Sequence, residues 1–166
     1  ALQQFLADVY WGDLDVLLLD LPPGTGDVAI SIAQLIPGAE IIVVTTPQLA
    51  AAEVAERAGA IAVQTRQRVA GVVENMVDSP TLKMFGEGGG RQVAESLSRT
   101  MGVDVPLLGQ VPLDPALVAA GDTGVPLALS SPDEGAGAAL NKIADALAAK
   151  KRGLAGMSLG LDTTRR

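Results

Sequence analysis

The sequence predicts an α/β fold with a mostly parallel sheet and helices on both faces. Apolar runs of strand length alternate along the chain with longer segments of helical period, which is the βαβ pattern. Several of these runs are apolar at consecutive positions, as expected of buried parallel strands. The links between them are short, and right-handed crossovers of this kind place helices on both faces of the sheet.

The predicted elements alternate along nearly the whole chain. Residues 2–10 carry an apolar stripe at helical spacing. We predict strands at 16–20, 41–45, 69–74 and 105–111, and helices at about 27–35, 48–67, 91–101 and 134–150. A stretch containing Pro, Gly and Ser precedes the last helix. Residues 1–150 are expected to belong to one domain, and the glycine-containing residues 151–166 to form a flexible basic tail.

The composition excludes several chemistries. The 166 residues contain no His and no Cys, which excludes Ser-His-Asp and Cys-His nucleophile systems, ordinary zinc sites and disulfides. An iron–sulfur cluster held by thiolates of these residues is excluded for the same reason. The remaining carboxylate, hydroxyl, amide and backbone groups suit hard cations such as Mg²⁺ and phosphates.

The charge distribution argues against a nucleic-acid partner. Residues 1–149 hold 7 basic and 18 acidic side chains, whereas the last 17 residues hold 5 basic and 1 acidic. A body this acidic would repel a phosphate backbone, and aromatic residues, at 2%, are too few for base stacking. No apolar run reaches the length of a membrane helix and no secretory signal pattern is seen, so a cytoplasmic protein without a membrane partner is expected.

The most specific motif is the string Asp-Leu-Pro-Pro-Gly-Thr-Gly-Asp at residues 20–27, directly after the apolar run 16–19. An acid that ends a buried strand has the form of a Walker B motif, whose carboxylate holds Mg²⁺ near nucleotide phosphates. The prolines end the strand, and a glycine lets its backbone N–H approach an anion. An apolar run ending in an acid is also an ordinary strand end, so the complete string carries the prediction. Ligands of open α/β sheets bind beyond the carboxyl ends of the strands, which is where this string lies.

Four further motifs follow the first along the chain, at residues 43–48, 73–76, 85–90 and 108–114. Together with residues 20–27, and in the same order, they resemble the motifs of the Mrp/ApbC family. The family consists of P-loop ATPases of the class that includes MinD, ParA and the nitrogenase iron protein, and it carries iron–sulfur clusters to apo-proteins. The resemblance covers residues 1–155. It implies a P-loop NTPase fold, of which residues 1–150 are the C-terminal part, with ATP and Mg²⁺ as cofactors.

The resemblance implies catalytic roles in the first motif. Asp20 would be the Walker B acid, which holds Mg²⁺ through bound water. Pro22, Pro23 and Gly24 would form the switch loop that senses the γ-phosphate, with Gly24 at the catalytic centre.

The later motifs imply a binding site for the nucleotide base. Asn75 would hydrogen-bond adenine, for which a side-chain amide has both a donor and an acceptor. The segment from Gln110 to Asp114 would line the other side of the base, with Pro112 packing on the ring. Without the resemblance, Asn75 would be read as an ordinary strand-end cap and Pro112 as a turn proline.

The Walker A motif that the resemblance implies does not occur in these residues. No lysine follows a Gly-x-x-x-x-Gly-Lys-Ser/Thr string, and in the family this loop and its strand lie N-terminal of the segment seen here. The amides and lysine of that loop supply most phosphate contacts. We therefore expect this chain to be the C-terminal part of a longer ATPase, or a truncated homologue, that is inactive by itself and binds ATP weakly or not at all.

The cluster ligands of many family members are also missing. A Cys-x-x-Cys pair commonly precedes the glycine-rich loop, and a cluster then bridges the two subunits of a dimer. The corresponding interval here, 77–83, contains no thiol. The glycine-rich run 86–90 follows a loop rather than a strand, so we interpret it as a flexible lead-in to the next helix.

The resemblance favours an ATP-binding and ATP-hydrolysing iron–sulfur cluster carrier or assembly factor. It implies a homodimer with apo iron–sulfur proteins as clients. Two alternatives remain open: a ParA/MinD-like positioning ATPase, which a helical membrane-inserting tail would favour, and a non-enzymatic remnant that acts as an interaction module. A Walker A string upstream of Ala1 would exclude the remnant.

Overall fold

Three parallel strands form the centre of the molecule. A computed structural model of the chain describes residues 2–21, 27–48 and 51–149. Within these ranges the sheet has the order β1 (Glu40–Thr45), β2 (Arg68–Val77) and β3 (Leu107–Pro112). All neighbours are parallel, which confirms the predicted α/β fold. β2 runs three residues past its predicted end and so carries Asn75 within the sheet.

Helices surround the sheet. The described residues form α1 (Leu2–Asp8), α2 (Asp27–Leu35), α3 (Ala51–Thr65), α4 (Gly89–Met101), α5 (Pro115–Thr123), α6 (Leu127–Ser130) and α7 (Gly135–Ala148). Five of them lie where the sequence predicts helices. None of the helices in the described ranges is both long and apolar enough to cross a membrane.

The sheet has an aliphatic core on each face. One core contains Val72 of β2 and Leu97 of α4, together with residues of β1 and α3. The other contains Val73 of β2, Val111 of β3 and Ile143 of α7. Val72 and Val73 are adjacent, and successive side chains of a strand point to opposite faces. β2 is therefore covered on both faces, as the uninterrupted apolar run predicts.

The predicted strand at residues 16–20 is wrong. Residues 9–21 form neither a helix nor a strand, and the side chains of Val16 and Leu18 are 67% and 76% exposed. A strand needs a neighbour to complete its backbone hydrogen bonds, and no strand in the described part of the chain pairs with this run. Asp20 consequently does not follow a strand end here.

One edge of β1 is left open among the described residues. β1 pairs with β2 on its other side, and the side chain of Val44 is 58% exposed. A cavity of about 480 Å³ lies next to this strand, lined by α2, α3 and the segment Leu19, Asp20 and Leu21. Exposed apolar strand edges promote association between chains.

Candidate functional site at the carboxyl edge of the sheet

The predicted site residues fall into two separate places. Asp20 is exposed and lines the cavity beside β1. Gln110 and Pro112 line a second cavity, of about 530 Å³, next to β3. The first cavity is not lined by Gln110 or Pro112, and the second is not lined by Asp20. The switch-loop residues lie outside the described part of the chain: Pro22, Pro23 and Gly24.

Asn75 lies at the carboxyl end of β2, directly before a β-bulge. Its Oδ1 accepts the backbone N–H of Met76 at 2.9 Å, which leaves the Nδ2 group as a donor. Met76 has a φ of 61°, a left-handed conformation that is strained for a residue with a side chain. The pairing with β3 shifts register between Asn75 and Val77. Bulges next to functional sites commonly redirect a side chain, and this one sets the position of Asn75.

Glu74 is a site residue that the sequence analysis missed. Its side chain is fully buried, although Met76, two residues further along the strand, is 43% exposed. One carboxylate oxygen accepts the N–H of Gly88 at 2.8 Å, and the other accepts Nε2 of Gln110 at 2.7 Å. Glu74 thereby ties β2 to β3 and to the start of α4. In the sequence, Glu74 could have been recognised as an acid that ends the otherwise apolar run 69–73.

The glycine-rich run is divided: Gly86 and Gly88 precede α4 with open space around them, whereas Gly89 and Gly90 belong to the helix and pack tightly. α4 already begins at Gly89, and a Cβ there would lie 2.6 Å from the carbonyl oxygen of Thr46. A Cβ on Gly90 would lie 2.5 Å from Cβ of Glu74. Gly89 and Gly90 let α4 approach the ends of β1 and β2, so they serve close packing.

The loop between β2 and α4 is organised by a carboxylate. Oδ1 of Asp78 accepts the backbone N–H groups of Met84, Phe85 and Gly86 at 2.8, 2.9 and 2.9 Å. These bonds, led by that of Met84, hold the pKa of Asp78 below its ordinary value of 3.8. This loop includes nearly all of the interval 77–83, which contains no thiol. Its order comes from the hydrogen bonds to Asp78.

The cavity next to β3 combines polar groups with small residues. Gln110 is exposed, and its Nε2 is bound to Glu74, so its Oε1 remains as an acceptor. Lys142 of α7 supplies a cation to the same cavity, and Asp78 and Glu87 supply carboxylates. The volume of about 530 Å³ lies within the range of small-molecule pockets.

Asp114 joins the starts of two helices. Its Oδ1 accepts the N–H of Ala116 at 2.9 Å as the N-cap of α5, and its Oδ2 accepts the N–H of Ala136 in α7 at 3.2 Å. Both carboxylate oxygens are therefore engaged with backbone amides. In this structure Asp114 serves the architecture of the site edge.

The donor set fits part of a nucleotide site. The amide groups of Asn75 and Gln110 suit a base, whose edge carries both donors and acceptors. No group of three or more acidic residues placed to hold a metal ion occurs in the part of the chain that the structure describes. Asp20 is an exposed carboxylate that belongs to no such group. A thiolate-bound cluster does not fit, because the 166 residues include no Cys.

The fold defines the chain as a P-loop NTPase. A nucleotide-binding protein from Archaeoglobus fulgidus, solved in complex with ADP, is 36% identical with a TM-score of 0.60 and covers 74% of this chain and 51% of that one. The MinD cell division protein of Aquifex aeolicus is 18% identical with a TM-score of 0.50, covering 70% of this chain and 46% of that one. The second likeness concerns the fold alone.

Within this class, the chain belongs to the NUBPL iron-transfer P-loop NTPase family, whose ParA model matches residues 1–148. Its relatives include the iron–sulfur cluster carrier protein of Mycobacterium tuberculosis, which is 77% identical over 171 residues and covers 100% of this chain and 45% of the relative. The carrier protein of Saccharolobus solfataricus is 44% identical over 152 residues, covering 87% and 49%. The chain thus spans about half the length of these relatives. The family resemblance predicted from the motifs is confirmed.

Proposed function

We propose that this chain is part of an ATP-binding iron–sulfur cluster carrier and supplies the base-binding side of its nucleotide site. The observation that carries the proposal is the pair of side-chain amides near the carboxyl ends of neighbouring strands: Gln110 of β3 lines a cavity of suitable volume, and Asn75 lies in β2. The relatives named iron–sulfur cluster carrier proteins, at up to 77% identity, support the assignment of cargo.

The two amides would approach a base from opposite sides. Paired residues of parallel strands share a face; Glu74 pairs with Gln110, and Asn75 pairs with Val111. Gln110 therefore belongs to the α4 face, and Asn75 to the α7 face. In the proposed site Nδ2 of Asn75 donates to a ring nitrogen, Oε1 of Gln110 accepts from an amino group, and Pro112 packs on the ring.

The phosphate side of the site needs groups from elsewhere. In the proposal Asp20 holds Mg²⁺ through water, and Mg²⁺ when bound neutralises phosphate charge. Pro22, Pro23 and Gly24 form the loop that contacts the γ-phosphate. The phosphate-binding loop itself lies outside these 166 residues, so ATP hydrolysis belongs to the full-length protein.

The cluster is treated as cargo, not as a resident cofactor. Since the chain contains no Cys, thiolates that hold the cargo come from other residues of the protein or from its client. The family resemblance supports a homodimer that delivers clusters to apo iron–sulfur proteins in the cytoplasm. The homodimer and the delivery of clusters to apo-proteins in the cytoplasm are both part of the proposal.

Nucleotide binding and cluster delivery can be tested together. The full-length protein is expected to bind ATP by calorimetry, and Asn75→Leu to weaken binding about tenfold through loss of one base hydrogen bond. Ser130→Ala, at an exposed position that ends α6, is the control variant and should have no effect. A cluster-loaded sample should restore activity to an apo iron–sulfur enzyme.

The outcomes separate the candidate functions. A folded full-length protein that binds no ATP would overturn the proposal and favour an interaction module. ATP binding without any cluster transfer would favour a positioning ATPase.

A further inference from the structure

The orientation of one exposed amide is fixed by a buried acid. Gln110 lies at the surface of the site, but its Nε2 reaches Oε2 of Glu74 at 2.7 Å. A carboxylate oxygen accepts hydrogen bonds and does not donate them, so the nitrogen of the amide must face Glu74. A flipped amide would bring two oxygens into contact. Oε1 of Gln110 therefore points away from Glu74 as an acceptor.

Glu74 itself cannot readily move to release this amide. Its side chain is fully buried, and Oε1 accepts the N–H of Gly88. Gly90 is so close that even a Cβ would lie 2.5 Å from Cβ and 3.2 Å from Cγ of Glu74. The Glu74 carboxylate is hydrogen-bonded through both oxygens and its Cβ and Cγ are packed against Gly90, so it fixes the orientation of the Gln110 amide.

The fixed acceptor has a consequence for the choice of base. Adenine presents an amino group at position 6, which donates, whereas hypoxanthine and guanine present an oxygen there, which accepts. An acceptor on the protein matches the amino group and repels the oxygen. Leaving a polar group of the site unpaired is what makes such discrimination strong.

We propose that Glu74 is a positioning residue that sets base specificity, by holding Gln110 so that an amide oxygen faces the 6-position of the bound base. This inference rests on the proposed function, because it requires a nucleotide at the carboxyl edge. Glu74 does not touch the ligand and acts through Gln110. This role accounts for a fully buried acid close to the carboxyl end of β2.

The test compares ATP with ITP, which differ at the 6-position of the base. The wild-type full-length protein should bind ATP at least about tenfold more tightly than ITP by calorimetry, since one matched contact discriminates by about that factor. In Glu74→Gln, the new amide keeps its oxygen on Gly88 and turns its nitrogen toward Gln110. Gln110 must then flip and present nitrogen, so the ATP to ITP ratio should fall about tenfold or invert.

A swapped pair separates specificity from folding. In Glu74→Gln/Gln110→Glu, the amide at 74 donates to the carboxylate at 110, whose second oxygen again faces the base as an acceptor. The preference for ATP should return, which a merely structural role for Glu74 would not produce. Gln110→Leu removes the exposed amide, together with its hydrogen bond to Oε2 of Glu74, and should abolish the preference even if Glu74→Gln fails to fold.

Each outcome has one meaning. Equal wild-type affinity for ATP and ITP, or an unchanged ratio in Gln110→Leu, would overturn the inference while leaving the proposed function intact. Loss of preference in the swapped pair would also count against it. Absence of binding of either nucleotide to the wild-type protein would overturn the proposed function itself.

Discussion

Replacing Gly90 with alanine tests how strongly the packing of α4 on β2 stabilises the site edge. An ideal Cβ at this position lies 2.5 Å from Cβ of Glu74 and 3.0 Å from Cδ1 of Leu107. Contacting carbon atoms prefer about 3.5–4.0 Å, so the helix or the strand must shift by about 1 Å. Overpacking of this kind costs about 1–3 kcal/mol. The better helix propensity of alanine offsets about 0.5–1 kcal/mol, which leaves a net loss of about 1–2 kcal/mol.

Thermal unfolding of the purified protein measures this loss. For a chain of this size each 1 kcal/mol shifts Tm by about 2–4 °C, so Gly90→Ala should lower Tm by about 2–8 °C. Gly121→Ala in α5 is the matched control, because a Cβ there meets nothing within 4 Å. Its Tm should stay level or rise slightly. Equal Tm values for the two variants would refute the packing argument.

Four further outcomes are expected. Because the pKa of Asp78 is lowered in the folded protein, its stabilisation of loop 78–86 is complete above the ordinary value of 3.8 and is lost as the pH falls through the lower folded value. The amide NMR signals of Met84 and Gly86 should shift together in that acidic range, and an Asp78→Asn variant that retained the titration would contradict this. Asp114→Ala should cost about 2 kcal/mol in urea unfolding because it removes caps from two helices, and Asp114→Asn should cost less; equal losses would count against the shared cap. The 166-residue chain alone should bind Mg-ATP more weakly than micromolar, and calorimetry that found micromolar affinity would disprove the need for an outside phosphate loop. The same chain should associate through the open edge of β1, so a monodisperse monomer in light scattering with a cooperative melt would argue otherwise.

The strands illustrate where sequence patterns suffice. β1, β2 and β3 are apolar runs, and β2 pairs with a neighbour on each side. All three strands were predictable from pattern and length. The run at 16–19 has the same composition, but pattern alone does not reveal whether a neighbour exists to complete its ladder. α5 was missed although Asp114, Pro115 and Gly124 give ordinary start and stop signals, because the density of Pro and Gly suggested an irregular stretch.

The site divides in a similar way. Asn75, Gln110 and Pro112 could be identified because motifs near strand ends mark them, although their ligand contacts remain predictions. The role of Glu74 could not be predicted, since it depends on Gly88 and Gln110, which lie 14 and 36 residues away in the chain. Burial of an acid is decided by such distant partners, and a local pattern does not contain them.

The double cap at Asp114 couples the carboxyl end of β3 to a distant surface. One carboxylate holds the first turns of α5 and α7, so a displacement of the segment after Pro112 carries both helix starts with it. α7 has 14 residues and is about 21 Å long, at a rise of about 1.5 Å per residue. α7 is therefore anchored twice, at its first turn by Asp114 and along its length by Ile143 in the core on that face, so the segment after Pro112 and the packed body of the helix are tied together.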